Sequence, residues 1–280
     1  MTGTLSPGTY FLTGCASGIG RHVAGLLLGR GDRVYATDVN LDALKKHAID
    51  DRWPEDRSCC DQLDVRSRKD WETVFARAVD AFGRIDVCMN IAGVMLSGWA
   101  HEQPAHEVDL QIDVNTKGVI WGTQVVARHM IEKGGGHIVN ISSMAGIGSI
   151  PGIAVYTASK HAVRGFSLAA AFELKKYGIA VTTVCPDAIK TPLLEQSARH
   201  EAGAVVFSGS RLLTLEEVGR IILDRVLVRR ELEVTIPRGR GLLARLGNLI
   251  PWASHGLLTS LQKTGRAHQR DLAKEDPQGN

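Results

Sequence analysis

What the chain has little of narrows the field first. No apolar run reaches the roughly 18 residues that a membrane-spanning helix needs, and the opening MTGTLSPGTYF is no signal peptide. A cytoplasmic protein is expected, one that at most touches a membrane surface. The formal charge is only +3 over 280 residues, so nothing argues for a nucleic-acid partner. The five cysteines, Cys15, Cys59, Cys60, Cys88 and Cys185, contain no Cys-x-x-Cys pair, and their odd number fits free thiols in a reducing compartment. The 10 histidines show no metal-ligand spacing. His101 and His106 come nearest, in a polar stretch without a cysteine partner, so no metal is expected. Internal repeats and low-complexity tracts are missing as well.

What is there centres on residues 138–160, IVNISSMAGIGSIPGIAVYTASK. The stretch ends in Tyr156-x-x-x-Lys160, and residues four apart project from one helix face. A phenol of ordinary pKa near ~10 is a poor acid–base group at neutral pH. A neighbouring ammonium is expected to lower it toward the working range. Ser143, after the strand-like IVNIS, can donate a hydrogen bond to a substrate oxygen where charge changes during reaction. The pair alone is ordinary helix-surface spacing. Its weight comes from Ser143 and from a second feature near the N-terminus.

That feature is a strand, a glycine turn and a helix in succession. TYFLT at 9–13 reads as a first strand, Gly14 to Gly20 as the turn, and RHVAGLLLGR as a helix with an apolar stripe through Val23, Leu26 and Leu27. Gly14, Ser17, Gly18, Ile19 and Gly20 thus form a loop whose backbone can approach a pyrophosphate at a helix N-terminus. Asp38 closes the second strand about twenty residues beyond that loop, where a carboxylate can accept both ribose hydroxyls and repel a 2′-phosphate. NAD is the expected cofactor.

With these motifs in order, the chain resembles the short-chain dehydrogenase/reductase family, in its single-domain branch, over roughly residues 8 to 237. The resemblance implies an α/β fold, a doubly wound seven-stranded parallel sheet of Rossmann type, and a catalytic set of Asn115, Ser143, Tyr156 and Lys160. Asn115 lies in a long helix expected from about Pro104 to Met130, where the family uses it to hold a proton-relaying water. Further cofactor contacts implied are Asp64 and Val65 at the adenine, Asn90, Ala92 and Gly93 after the fourth strand, and Pro186, Ile189 and Thr191 after the sixth. Family members that use NADP place a basic residue where Ser17 or Val39 stands here. Two departures stand out. Ile91 replaces the second asparagine of Asn-Asn-Ala-Gly, and Asp187 replaces the glycine of Pro-Gly, which should restrict the backbone and bring a charge near the nicotinamide. A dimer or tetramer built on the Asn115 and Tyr156 helices is implied too.

The fold-bearing part is expected at 1–237, with an insert at about 192–213 that has no regular period and covers the substrate. Thr214-x-x-Glu217 announces a capping box before the next helix. Residues 238–280 form an extension. Leu242, Leu243, Leu246, Leu249 and Ile250 recur at helical spacing, Pro251 breaks the run, and a polar tail follows. The stripe is expected to be buried against the chain's own insert. A second subunit, or a membrane interface favoured by nearby basic residues and Trp252, are the alternatives.

The function expected is hydride transfer between nicotinamide and a secondary alcohol or ketone. A pocket lined by residues 94–99, Met144, Ile147 and the apolar half of the insert offers few fixed charges, which suits a steroid, fatty or terpenoid substrate. Two other readings stay open. One is reduction of a carrier-bound 3-oxoacyl group, using Arg199 or Arg211 to meet the carrier. The other is a non-catalytic nucleotide-binding regulator on the same fold.

Overall fold

A computed structural model describes residues 7–198, 201–209, 211–249 and 264–265 of the chain. Seven parallel strands form one sheet: β1 (Thr9–Thr13), β2 (Arg33–Asp38), β3 (Ser58–Gln62), β4 (Val87–Asn90), β5 (Gly136–Ile141), β6 (Ile179–Pro186) and β7 (Glu233–Ile236). Their order is β3-β2-β1-β4-β5-β6-β7. The order reverses direction between β1 and β4. At such a switch point the crossovers diverge to opposite faces and leave a crevice at the carboxyl ends of the strands.

Alternation along the strands sorts the core into two layers. On β1, Tyr10 and Leu12 face one side and Phe11 the other. The first layer packs against α1 (Gly18–Arg30), α2 (Leu41–Asp50), α8 (Leu215–Ile221) and α9 (Leu227–Arg229), with Val23, Leu27, Leu44, Val218 and Leu227 among its members. The second layer packs against α3 (Arg68–Phe82), α5 (Gly118–Glu132) and α6 (Ala154–Leu174), through Trp71, Phe75, Val126 and Ala171. Burial on both faces runs almost unbroken through β5 and β6, so even their polar residues, such as Asn140 and Thr183, lie inside.

Local chemistry sets the element ends. Gly83 closes α3 at φ 76°, a conformation that glycine adopts without a Cβ penalty. The Thr214–Glu217 capping box is present, with both reciprocal bonds made. The long helix expected from Pro104 is broken into α4 (Ala105–Ile112) and α5, joined by a π turn over Asp113–Lys117. Nothing in the hydrophobic period marks that turn.

The insert is more regular than its sequence suggests. It holds α7 (Pro192–Ala198) and a 3₁₀ segment at Glu201–Phe207. Segments this short carry too few turns to print a period. The extension begins with the helix α10 (Arg238–Leu249), but Leu242, Leu243 and Leu246 are not buried against the insert. Leu242, Leu243 and Leu246 are exposed, and the face turned to the body is made by Gly241 and Ala244. A Cβ at Gly241 would overlap Thr235 of β7, so only a small residue permits so close an approach. Arg199, Ile250, Pro251, Trp252 and the leucines beyond lie outside the described residues. Among those described, no helix is long and apolar enough to cross a membrane.

Candidate active site

A cleft of about 1150 Å³ opens at the carboxyl ends of the strands. Along its rim lie Gly14, Ser17, Gly18, Ile19, Gly20, Asp38, Asp64, Val65, Ala92, Gly93, Ser143, Tyr156, Lys160, Pro186, Ile189 and Thr191, so most of the expected site residues share one surface. Asn90 and Asn115 do not line it. Both are buried immediately behind it, as supports for the wall.

The glycine loop is fixed by close backbone approach. Gly14 has φ 72°, and a Cβ on it would stand 2.8 Å from the Ala92 Cα. A Cβ on Gly20 would overlap the Gly14 carbonyl. Thr13 Oγ1 accepts from the Ile91 and Ala92 N–H groups, at 3.0 Å each, and so ties the loop after β4 to β1. Asp38 sits at the end of β2. Its Oδ2 accepts from Ala16 N at 2.9 Å and its Oδ1 from Asn40 N at 2.9 Å. Ser17 N-caps α1 without a side-chain bond, so the first-turn N–H groups of this 13-residue helix carry no side-chain cap. The glycine cradle, the uncapped helix end and the carboxylate at the end of β2 together fit a dinucleotide.

Just after β3, Asp64 is forked by Arg66, with Nη2–Oδ2 at 2.7 Å. That hydrogen bond is the main reason its carboxyl is held below the usual range. Val65 is buried against Gly118. At the other end, Thr191 is buried, and its hydroxyl donates to Ile189 O at 3.2 Å.

The end of the cleft that holds Ser143, Tyr156 and Lys160 is built by α6 and the segment after β5. Ser143 caps a 3₁₀ turn at Met144–Gly146, its Oγ accepting from Ala145 N at 3.1 Å, and its side chain pulls the Tyr156 pKa downward. Lys160 Nζ lies 5.6 Å from the centre of the Tyr156 ring and donates to Ile141 O at 3.0 Å. Here one expectation is corrected. Tyr156 is not lowered: burial pushes its hydroxyl up to about 12, with Ser143 pulling the other way. The lysine absorbs the same environment, and burial brings its ammonium down to about 8. The cause is desolvation, which disfavours the charged form of each group. Lys160 therefore titrates within reach of neutral pH.

Asn115 is held by the π turn, a device often found at functional sites. Its Oδ1 accepts from Val94 N at 2.8 Å, and its Nδ2 donates to Val94 O at 2.9 Å and to Ser159 Oγ at 3.0 Å. The amide thus pairs with the chain just after β4 as a neighbouring strand would. Gly93 lies between this clamp and the lysine. A Cβ there would be 3.2 Å from Asn115 Oδ1 and 3.4 Å from Lys160 Nζ.

Several contributors were not singled out from sequence. Thr13 and Ser159 act through single hydroxyls. Asn140 accepts from Asn90 Nδ2 at 2.7 Å and donates to Ser167 Oγ at 2.9 Å, a buried polar chain beneath the wall. These residues follow no motif, and the topology alone brings them together. Of the lining expected from residues 94–99, only Val94 and Met95 reach the cleft, while Leu110 and Val114 from the helix opposite were not foreseen. Asp187 needs no unusual backbone, since the positive-φ residues other than glycine are Arg52 and Arg230 among those described. Its charge is met by Arg240 at 3.0 Å. No His, Cys, Asp or Glu cluster able to hold a metal occurs among the described residues.

The pattern described as short chain dehydrogenase matches residues 9–202. The chain belongs to that family, oxidoreductases acting on CH–OH groups. It is 36% identical over 197 residues to the 15-hydroxyprostaglandin dehydrogenase [NAD(+)] of Rattus norvegicus, covering 68% of this chain and 71% of that one. It is 37% identical over 218 residues to the 3-oxoacyl-[acyl-carrier-protein] reductase of Thermotoga maritima, covering 76% and 87%. Among solved structures, ElxO with NADP bound superposes with a TM-score of 0.73 at 27% identity, covering 82% of this chain and 97% of that chain.

Proposed function

We propose that the protein is an NAD-dependent dehydrogenase or reductase of apolar secondary alcohols and their ketones. The observation that carries this reading is the meeting of Ser143, Tyr156 and Lys160 at one end of a cleft whose other end is the glycine loop and Asp38. The bound nicotinamide would supply or take the hydride. Tyr156 gives or accepts the proton at the substrate oxygen, and Ser143 holds that oxygen by a hydrogen bond. Lys160, which burial brings down to about 8, is placed beside the phenol to pass a proton onward. Asn115 keeps Gly93 and Val94 in place beside the lysine.

NAD is preferred in this reading because the Asp38 carboxylate occupies the place where a 2′-phosphate would need a cation, and Ser17 and Val39 offer none. The rat relative named for NAD supports it, although the ElxO structure holds NADP. The substrate half is lined by Met95, Met144, Ile150, Ile153, Leu193, Leu194 and Val206, which suits an apolar carbinol. A carrier-bound substrate is less well served, since Arg211 forks onto Glu217 through both terminal guanidinium nitrogens. Association of two copies across α5 and α6 fits the exposed Ile131 and Phe172 on those helices.

The deciding experiment is Tyr156→Phe. Turnover of secondary alcohols should fall by at least about a thousandfold, while NAD binding stays within threefold of wild type. Near-normal turnover by the variant would remove Tyr156 from the chemistry.

A further inference from the structure

The C-terminal helix adds to the cleft something that the residues of the family pattern do not contain. Arg240, Leu243, Ala244, Gly247 and Asn248 of α10 all line it. The helix stands on β7 through Gly241, and Ala244 packs on Met144, Ile147 and Cys185, around the turn that Ser143 opens. Asn248 Nδ2 donates to Ile147 O in that turn. Arg245 pairs with Glu233 on the outer side, and Glu233 pairs in turn with Arg164 of α6.

One charge pair sits inside this arrangement. The Asp187 side chain, only 15% exposed, follows β6, and its backbone N–H donates to Ile236 O at 2.8 Å. Arg240 Nη1 reaches Asp187 Oδ2 at 3.0 Å. The guanidinium also rests on Gly209 of the insert, where a Cβ would overlap Nη1. A surface ion pair contributes little, but here the carboxylate is largely buried, and removing its partner leaves that charge without compensation. The carboxylate therefore has a counterion only while α10 lies along the cleft.

We propose that Asp187 and Arg240 are a positioning pair, which fastens α10 and the insert to the end of β6 and so fixes the wall against which an apolar substrate packs. This rests on the oxidoreductase reading above. The two residues act through the helix they hold and take no part in proton or hydride transfer. Arg240 lies beyond residues 9–202, which match the family pattern, so the pair would give this chain a substrate wall of its own.

The test is a double-mutant cycle in the full chain, with Arg240→Ala, Asp187→Asn, the double variant and Arg240→Lys. Hydrogen exchange of residues 238–249 and steady-state kinetics with 2-octanol and NAD are measured on each. Each single variant should speed exchange in α10 by about tenfold or more. Arg240→Ala should raise KM for the alcohol about fivefold or more, with kcat and NAD affinity within about twofold, and Asp187→Asn should raise that KM to a similar extent. The double variant should be no worse than either single one, since both remove the same contact. Arg240→Lys, which keeps the charge, should recover most of the protection. Unchanged exchange, additive losses, or a loosened helix with unaltered KM would each overturn the proposal. Failure of the wild-type protein to oxidise any secondary alcohol would sink the functional reading instead, and the exchange cycle would then judge the pair by itself.

Discussion

The two halves of the cleft are held by different physics. On the β1–β4 side the walls are backbone against backbone: Gly14 against Ala92, Gly20 against Gly14, and the Thr13 hydroxyl between two N–H groups. On the β6–β7 side they are side chain against side chain, with α10 pinned by Asp187–Arg240, Glu233–Arg245 and Asn248 on Ile147. Backbone packing tolerates no added atom, whereas ion pairs and apolar contacts can be exchanged for others of similar size. Under the proposed function, such a division would serve a fixed cofactor and a variable substrate.

The harshest way to break this contrast is Gly20→Ala. One methyl group on the rigid side should weaken NAD binding by about a hundredfold or more and cost about 1–3 kcal/mol of stability. Fluorescence titration and calorimetry read both. If NAD binding survives, the loop is not the rigid element described here.

Asp38→Ser probes the same side more gently. Preference for NAD over NADP, expected to be well over tenfold, should shrink to within about threefold, each factor of ten being about 1.4 kcal/mol. Some loss of NAD affinity should accompany it, because Asp38 Oδ2 also holds Ala16 N. Specificity constants for the two cofactors decide the matter, and an unchanged ratio would detach Asp38 from cofactor choice.

His137 tests the seam between the halves. It is buried on β5, 2.9 Å from Thr182 Oγ1 on β6, and burial brings its pKa down to about 3. Below about pH 6.5 the unfolded chain takes up a proton there that the folded chain refuses until about pH 3. Its contribution to stability is therefore lost as pH falls through that window. His137→Gln should flatten the acid limb of a denaturant-midpoint profile between pH 6.5 and pH 4.

The smallest effect is expected on the exchangeable side. Leu243 lines the cleft yet is 68% exposed. Leu243→Ser should move the melting temperature by less than about 1 °C and KM by less than about threefold. A large change would show that this helix is no more replaceable than the glycine loop.

Legibility follows the same division. The strands, the glycine loop and the Ser143–Tyr156–Lys160 set were readable because periodicity and fixed spacing encode them locally. Thr13, Asn140 and Ser159 were not, since each acts through one hydroxyl or amide on a distant segment. The α10 leucines misled for a physical reason. An apolar stripe signals burial only when nothing smaller offers a closer fit, and here Gly241 and Ala244 do. The tyrosine's pKa was misjudged because the spacing shows a neighbouring cation but not the desolvation that both groups share.

The π turn at Asp113–Lys117 carries a consequence for how this helix tolerates change in length. Such a turn holds one residue more than the α turn it replaces, and each residue advances a helix by about 100°. Deleting a single residue there would let the segment relax into uninterrupted α-helix while leaving α5 in phase with the sheet. The fold should survive that deletion. The Asn115 amide, however, would lose the angular offset that aims it at Val94, so the cleft would pay for a shortening that the scaffold barely registers.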